Sequence, residues 1–179
     1  MSPAADIPAQ SAMFAAGVEK LEGAFYSRLS LAHWGRSTRE RNLYNQHVKG
    51  SAHCLPFGPG AGGNLDGWFL MNTSAYDKWL EAVNAGIKPA AMLVEPGPNF
   101  RLYRALAFEL EHLRLDIPAL ERKFGLELYG ALEPLLEQWR RAGLLNLGDR
   151  KITLTLAGQF WQVNISQLMQ DFLKRHLEG

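Results

Sequence analysis

The stretch Glu95-Pro96-Gly97-Pro98-Asn99-Phe100-Arg101-Leu102-Tyr103-Arg104-Ala105-Leu106-Ala107-Phe108-Glu109-Leu110-Glu111-His112-Leu113 contains a break and then a helix. Two prolines around a glycine disfavour helix and mark a turn or linker. Beyond it, Tyr103, Leu106, Leu110 and Leu113 fall on one stripe at helical spacing. The break therefore divides the chain into residues 1–95, where regular structure is short and interrupted by glycine, and residues 96–179, where helical periodicity dominates. The expected class is α+β.

Working downstream, Asp116 can cap a short helix that ends near Phe124-Gly125. Leu132, Leu135, Leu136 and Trp139 stripe another helix, with Pro134 tolerable only in its first turn. Gly143 ends that helix. Leu144–Leu147 and Lys151–Leu154 flank Gly148-Asp149, which predicts a hairpin. Thr155 then caps a long final helix with Trp161, Ile165, Leu168, Met169, Phe172 and Leu173 on one face. Three helices, a hairpin and a helix approach a winged-helix plan.

Working upstream, residues 9–22 read as a helix bearing Met13, Phe14, Gly17, Val18 and Leu21 on one face, stopped by Gly23. Residues 24–31 alternate as a strand, and 52–57 and 68–71 read as two more. Ser74 can cap a helix over 75–85 that Gly86 ends.

The 179 residues suffice for one domain or two small ones with a real core. Lys and Arg number 19 against 18 Asp and Glu, so the balance offers no global nucleic-acid or membrane signal. Cys54 is the single cysteine, which excludes an internal disulfide, a Cys-rich zinc site or an iron–sulfur cluster held by this chain alone. Residues 1–10 show no apolar run after a basic region, and no apolar stretch is long enough to span a bilayer; the expectation is a cytoplasmic protein.

Two segments stand out for chemistry. Cys54-Leu-Pro-Phe-Gly-Pro-Gly-Ala-Gly-Gly-Asn64 packs four of the 17 glycines into residues 58–63. Glycines admit left-handed backbone and close approach of a ligand to main-chain N–H groups, so the loop can cradle an anion or a flat cofactor edge. It lacks the lysine of a phosphate-binding loop and the spacing of a dinucleotide fingerprint. A tight turn between two strands is the alternative. The second segment, His33-Trp-Gly-Arg-Ser-Thr-Arg-Glu-Arg-Asn-Leu-Tyr44, lies in a run from Arg28 to Lys49 with five basic residues and one acid. Arginine forks suit carboxylates, and Trp34 and Tyr44 suit flat rings, which together fit a planar polycarboxylate such as a porphyrin. A solvated basic loop is the alternative.

The five histidines have no paired metal-ligand spacing. His53 beside Cys54 offers a haem ligand or proton relay, against the ordinary structural reading; in a haem carrier His53, His33 or Cys54 would be the candidate ligands, and no metal site is expected. No nucleophile elbow or identifiable carboxylate pair is present. Arg140-Arg141 raises DNA binding, but Glu133 and Glu137 on the same helix cancel that charge.

The order helix, Arg28-Leu-Ser strand, His33-Trp-Gly, Arg41-Asn-x-Tyr44-Asn, strand, Phe57-Gly-Pro-Gly-Ala-Gly-Gly63, then Leu154-Thr-Leu-x-Gly158 and Asn164 resembles the C-terminal half of the oxygen-independent coproporphyrinogen III oxidase family. Within it the likeness is to the radical SAM enzymes proposed to degrade haem anaerobically. The resemblance implies the end portion of an open (β/α) barrel over 1–95 and a winged-helix-like domain over 96–179. It implies S-adenosylmethionine and a [4Fe–4S] cluster for the full-length family enzyme, the cluster on a Cys-x3-Cys-x2-Cys loop that this sequence lacks.

In the family, the glycine loop lies near S-adenosylmethionine, which corresponds here to Gly58, Gly60, Ala61 and Gly62. Oxidases of the family carry bulkier residues after the loop's alanine, where this chain has Gly62-Gly63. The implied function is the substrate-covering, cofactor-adjacent part of a tetrapyrrole enzyme that works with an N-terminal radical SAM barrel. Arg36, Arg39 and Arg41 would then take propionates, and Trp34, Tyr44 and His53 would line the macrocycle. The rival expectations are a stand-alone haem carrier and a winged-helix DNA-binding protein.

Overall fold

The computed structural model describes residues 6–50 and 52–178. In chain order they form α1 (Ile7–Gly23), β1 (Ser27–Arg28), β2 (Trp34–Gly35), α2 (Leu43–Gly50), β3 (Gly62–Leu65), β4 (Trp68–Asn72), α3 (Tyr76–Asn84), β5 (Ala90–Val94) and α4 (Phe100–Glu111). There follow β6 (Arg114–Asp116), α5 (Ile117–Phe124), α6 (Tyr129–Arg141), β7 (Leu145–Gly148), β8 (Lys151–Leu154), α7 (Leu156–Phe160) and α8 (Gln162–Leu177). The described residues divide into two compact units. One holds those up to Leu43 and from Ala105 onward, and the other is Tyr44–Arg104. The 95–98 segment, expected as the boundary, is an irregular connection between β5 and α4 inside the second unit.

In the first unit, α1 begins where Asp6 accepts the Ala9 N–H at 2.9 Å, with Pro8 in the first turn where its missing N–H costs nothing. The strand expected over 24–31 shrinks to two residues. Phe25 takes a left-handed backbone (φ 61°), and the Leu29 N–H closes on the His33 carbonyl at 2.8 Å, so the chain doubles back as a hairpin. The helices of the second half fall largely where their stripes place them. Asp116 caps α5 through the Ala119 N–H at 2.9 Å, and Gly125 ends it at φ 66°. Pro134 is the sixth residue of α6 rather than a first-turn one. Its missing N–H leaves the carbonyl of Gly130, an exposed residue, without its helical donor.

The hairpin turns on Asp149-Arg150, both left-handed (φ 51° and 59°), one residue later than Gly148-Asp149. A third strand, β6, pairs with β8, giving the antiparallel order β6-β8-β7. The long final helix is two: Trp161 breaks α7 from α8. On α8, Leu168 is exposed, while Gln162 and Ser166 join Ile165, Met169 and Leu173 inside. With Leu106, Leu110, Leu115, Ile117, Leu132, Leu136, Leu145 and Ile152 they make the buried interior, where truncating one leucine typically costs about 2–5 kcal/mol.

The second unit carries the antiparallel sheet β3-β4-β5. Asp66-Gly67 (φ 47° and 90°) turn β3 into β4, so the Gly-rich loop ends as a strand. The expected strand over 52–57 is reduced to one bridge, Cys54 to Asn64, though its residues still alternate between exposed and half-buried. α3 has Ala75 rather than Ser74 at its cap, and the Thr73 hydroxyl accepts the Ala75 N–H at 3.3 Å. Every residue of β5 is exposed. Among the described residues, no helix is long and apolar enough to cross a membrane.

Candidate functional site

The β1–β2 hairpin of the first unit presents Trp34 half-buried, and its ring is already in use. The Arg28 guanidinium lies 4.9 Å from the Trp34 ring centroid and 5.6 Å from that of Phe14, attracted by the electron-rich faces. Arg28 also donates to Gln159 Oε1 and, at 2.7 Å, to the Leu31 carbonyl. Burial lowers the Arg28 pKa from its ordinary value, partly opposed by the nearby carboxylate of Glu22. Arg28 was outside the expected site. The signal for it was the period-2 run Tyr26, Arg28, Ser30, whose members are all at least half-buried.

Arg36, Arg39 and Arg41 are exposed on the loop after β2, and Arg36 lies 5.9 Å from the Tyr26 ring centroid. Glu40, the one acid between them, turns back on the chain: its Oε1 accepts the N–H of buried Asn42 at 2.7 Å. Asn42 is left-handed (φ 52°), and a Cβ on buried Gly35 would meet Glu40 carbons at 3.2–3.3 Å. Gly35, Glu40 and Asn42 thus shape a loop that carries three forks to solvent.

Tyr44, His53 and the glycine loop belong to the second unit. Tyr44 is 71% exposed, and His53 is exposed on the same alternation as Leu55 and Phe57. The loop's glycines do two different jobs. Gly58 and Gly60 are left-handed (φ 91° and 69°), and Gly58 has open space where a side chain would begin. Gly63 allows a close approach: a Cβ there would lie 2.3 Å from the Cys54 carbonyl oxygen. Across that contact Cys54 and Asn64 exchange two N–H···O bonds of 2.8 Å.

The Gly60 N–H donates to the Thr73 carbonyl at 2.9 Å and the Ala61 N–H to the Gly58 carbonyl at 3.5 Å. The Asn72 amide donates to the Gly58 carbonyl at 2.9 Å and to that of Pro56 at 3.3 Å. The loop is therefore tied internally, with Gly60 and Gly62 exposed and Gly58 and Ala61 half-buried. Among the described residues, no three His, Cys, Asp or Glu side chains converge as a metal site.

No known family model matches the chain. It is 35% identical over 163 residues to the anaerobilin synthase of Escherichia coli O157:H7, a match that takes in 90% of this chain and 36% of that protein. A solved structure of Escherichia coli coproporphyrinogen III oxidase, described as a radical SAM enzyme, superposes with a TM-score of 0.70 at 17% identity. That match covers 87% of this chain and 39% of the oxidase, and at such identity it speaks for the fold. The chain spans well under half the length of either relative. It is a homologue of anaerobilin synthase, with the mixed helix-and-sheet fold of part of coproporphyrinogen III oxidase.

Proposed function

We propose that this chain is the substrate-covering, cofactor-adjacent part of a radical SAM tetrapyrrole enzyme. The 35% identity to anaerobilin synthase along nearly the whole chain carries the reading. In it, the sheet β3-β4-β5 is the end of an open barrel. The run α4-β6-α5-α6-β7-β8, with β8 between β6 and β7, is a winged-helix-like domain. The apolar strand β5, exposed along its length, supports a further body of protein, a radical SAM barrel, against this sheet.

The full-length enzyme would use S-adenosylmethionine and a [4Fe–4S] cluster, which together supply reductive radical generation. The cluster does not fit this chain: Cys54 is the lone thiol, half-buried beside its bridge to Asn64. S-adenosylmethionine would meet the chain at Gly58, Gly60, Ala61 and Gly62, on the open side of Gly58. Arg36, Arg39 and Arg41 would hold propionates, while Tyr44, His53 and the edge of Trp34 would border the macrocycle. Chemistry would then need the cluster-bearing partner, in the same chain or another.

The test is a titration of haem and of coproporphyrin, first into this chain and then into the chain joined to a cluster-bearing barrel. Each is repeated with Arg36→Gln, Arg39→Gln and Arg41→Gln combined. Weaker binding of the triple variant in the joined protein is expected. Unchanged binding there overturns the site. A Soret shift with the chain alone, lost with His53→Ala, would instead establish a stand-alone haem carrier.

A further inference from the structure

The second unit contains a cleft whose lining meets the roles above at Gly58 alone. It lies between α3, β4 and the segment 55–58, and holds about 320 Å³, the low end for a ligand pocket. Trp79 and Val83, one turn apart on α3, share a face, and Leu70 on β4 stands opposite. Phe57, at the mouth, is 85% exposed. An apolar cleft of this size, half open to solvent, leaves apolar surface in water that a ligand would bury.

Its polar features are few and of one kind. Asn72, buried beneath the cleft, has its amide hydrogens committed to the Pro56 and Gly58 carbonyls, which fixes the segment that forms the wall. Lys88 lines the opening and is the only charged residue there. Among the described residues no carboxylate pairs with it. An apolar chamber with one cation at its mouth selects an apolar body carrying one acid group. A dicationic or sugar-like ligand would find no partners.

We propose that this cleft is a binding site for a small amphipathic organic anion, its body against Trp79, Val83 and Leu70 and its acid group on Lys88. The site shares Gly58 with the tetrapyrrole reading as a wall residue, but its body contacts, Trp79, Val83 and Leu70, and its cation, Lys88, have no part in that reading.

The 179-residue chain is titrated with 8-anilino-1-naphthalenesulfonate and with its uncharged relative N-phenyl-1-naphthylamine, both followed by fluorescence. Saturable binding of the sulfonate at one site per chain is expected. Lys88→Gln should weaken it about two- to fivefold, the scale of an exposed ion pair, and leave the neutral probe unaffected. Val83→Trp, which fills the chamber, should abolish binding of both probes with near-UV dichroism retained. If that variant loses its near-UV signal, Ala90→Trp on the adjoining strand serves the same purpose. Non-saturating binding, or equal sulfonate affinity in wild type, Lys88→Gln and the filled variant, overturns the proposal.

Discussion

The carbonyl oxygen of Leu144 lies 1.8 Å from the point where a Cβ on Gly158 would stand. Only glycine lets α7 come this close to the chain entering β7, and the approach is locked from both sides. The Thr155 hydroxyl accepts the Gly158 N–H at 3.1 Å and donates to the Gly143 carbonyl at 2.6 Å, and the Thr155 N–H reaches the Leu144 carbonyl at 3.1 Å. The Leu154-Thr-Leu-x-Gly158 motif thus has a physical basis as a helix cap pressed against a helix terminus. Gly158→Ala should destabilise the chain by about 3 kcal/mol, because backbone rather than a flexible side chain must move. Thr155→Ala should cost about 1–2 kcal/mol. Urea unfolding checks both; a Gly158→Ala loss below that of Thr155→Ala would refute the steric account.

Where one local rule dominates, the fold was legible. Asp116 before Ile117-Pro118, Gly125 after Phe124 and Gly143 after the α6 stripe each act at the position their chemistry demands. In the first half, left-handed residues and local turns override the alternation. Residues 24–31 alternate like a strand, yet a left-handed Phe25 and the Leu29–His33 turn fold them into a hairpin. The signal for β3 was present in Asp66-Gly67, a strong hairpin dipeptide. The glycines crowded just before it, at 58–63, have the composition of a loop instead. Of the candidate site, the arginines were visible as charge. Arg28 carries only the mark of its place in the alternation Tyr26, Arg28, Ser30, because its partner Gln159 is 131 residues away and leaves no local trace.

Arg28 and the loop arginines should separate in stability measurements. Arg28 stacks on two rings and makes two hydrogen bonds, so Arg28→Ala should cost about 1–3 kcal/mol through lost packing and unpaired acceptors. Neutralising Arg36, Arg39 and Arg41 together should change stability by no more than about 0.5 kcal/mol, as for ordinary surface positions. A large loss in the triple variant would mean these side chains hold the loop rather than await a ligand.

DNA binding through α6 should be absent. Arg140 is forked onto Glu137 by three hydrogen bonds of 2.8–3.2 Å, which spends its charge on the same helix. The side-chain hydrogen bond with Glu137 raises the Arg140 pKa. Retention on duplex DNA should be undetectable at 50–200 mM salt, the range over which phosphate contacts reveal themselves. Salt-sensitive retention that Arg141→Ala removes would restore the DNA reading.

Glu121 links three elements of the first unit and should give its stability an acid limit. Its carboxylate accepts the Leu128 and Tyr129 N–H groups at 2.8 and 2.9 Å, capping α6, whose own cap residue Leu128 has no side chain able to do so. Arg150, left-handed at the hairpin turn, donates twice to the same carboxylate. Burial pushes the Glu121 pKa up, but the two backbone donors and Arg150 outweigh it and leave it below the ordinary glutamate value. A carboxyl held lower in the folded than in the unfolded chain adds stability above its unfolded pKa, about 4.3. That stability is lost as pH falls through the lower, folded value. Wild type should therefore exceed Glu121→Gln in unfolding free energy at pH 7, with the gap narrowing steadily below about pH 4. Urea titrations of both proteins between pH 3 and 7 measure it, and a gap that stays constant across that range would show that the carboxylate's charge plays no part in holding α5, α6 and the hairpin together.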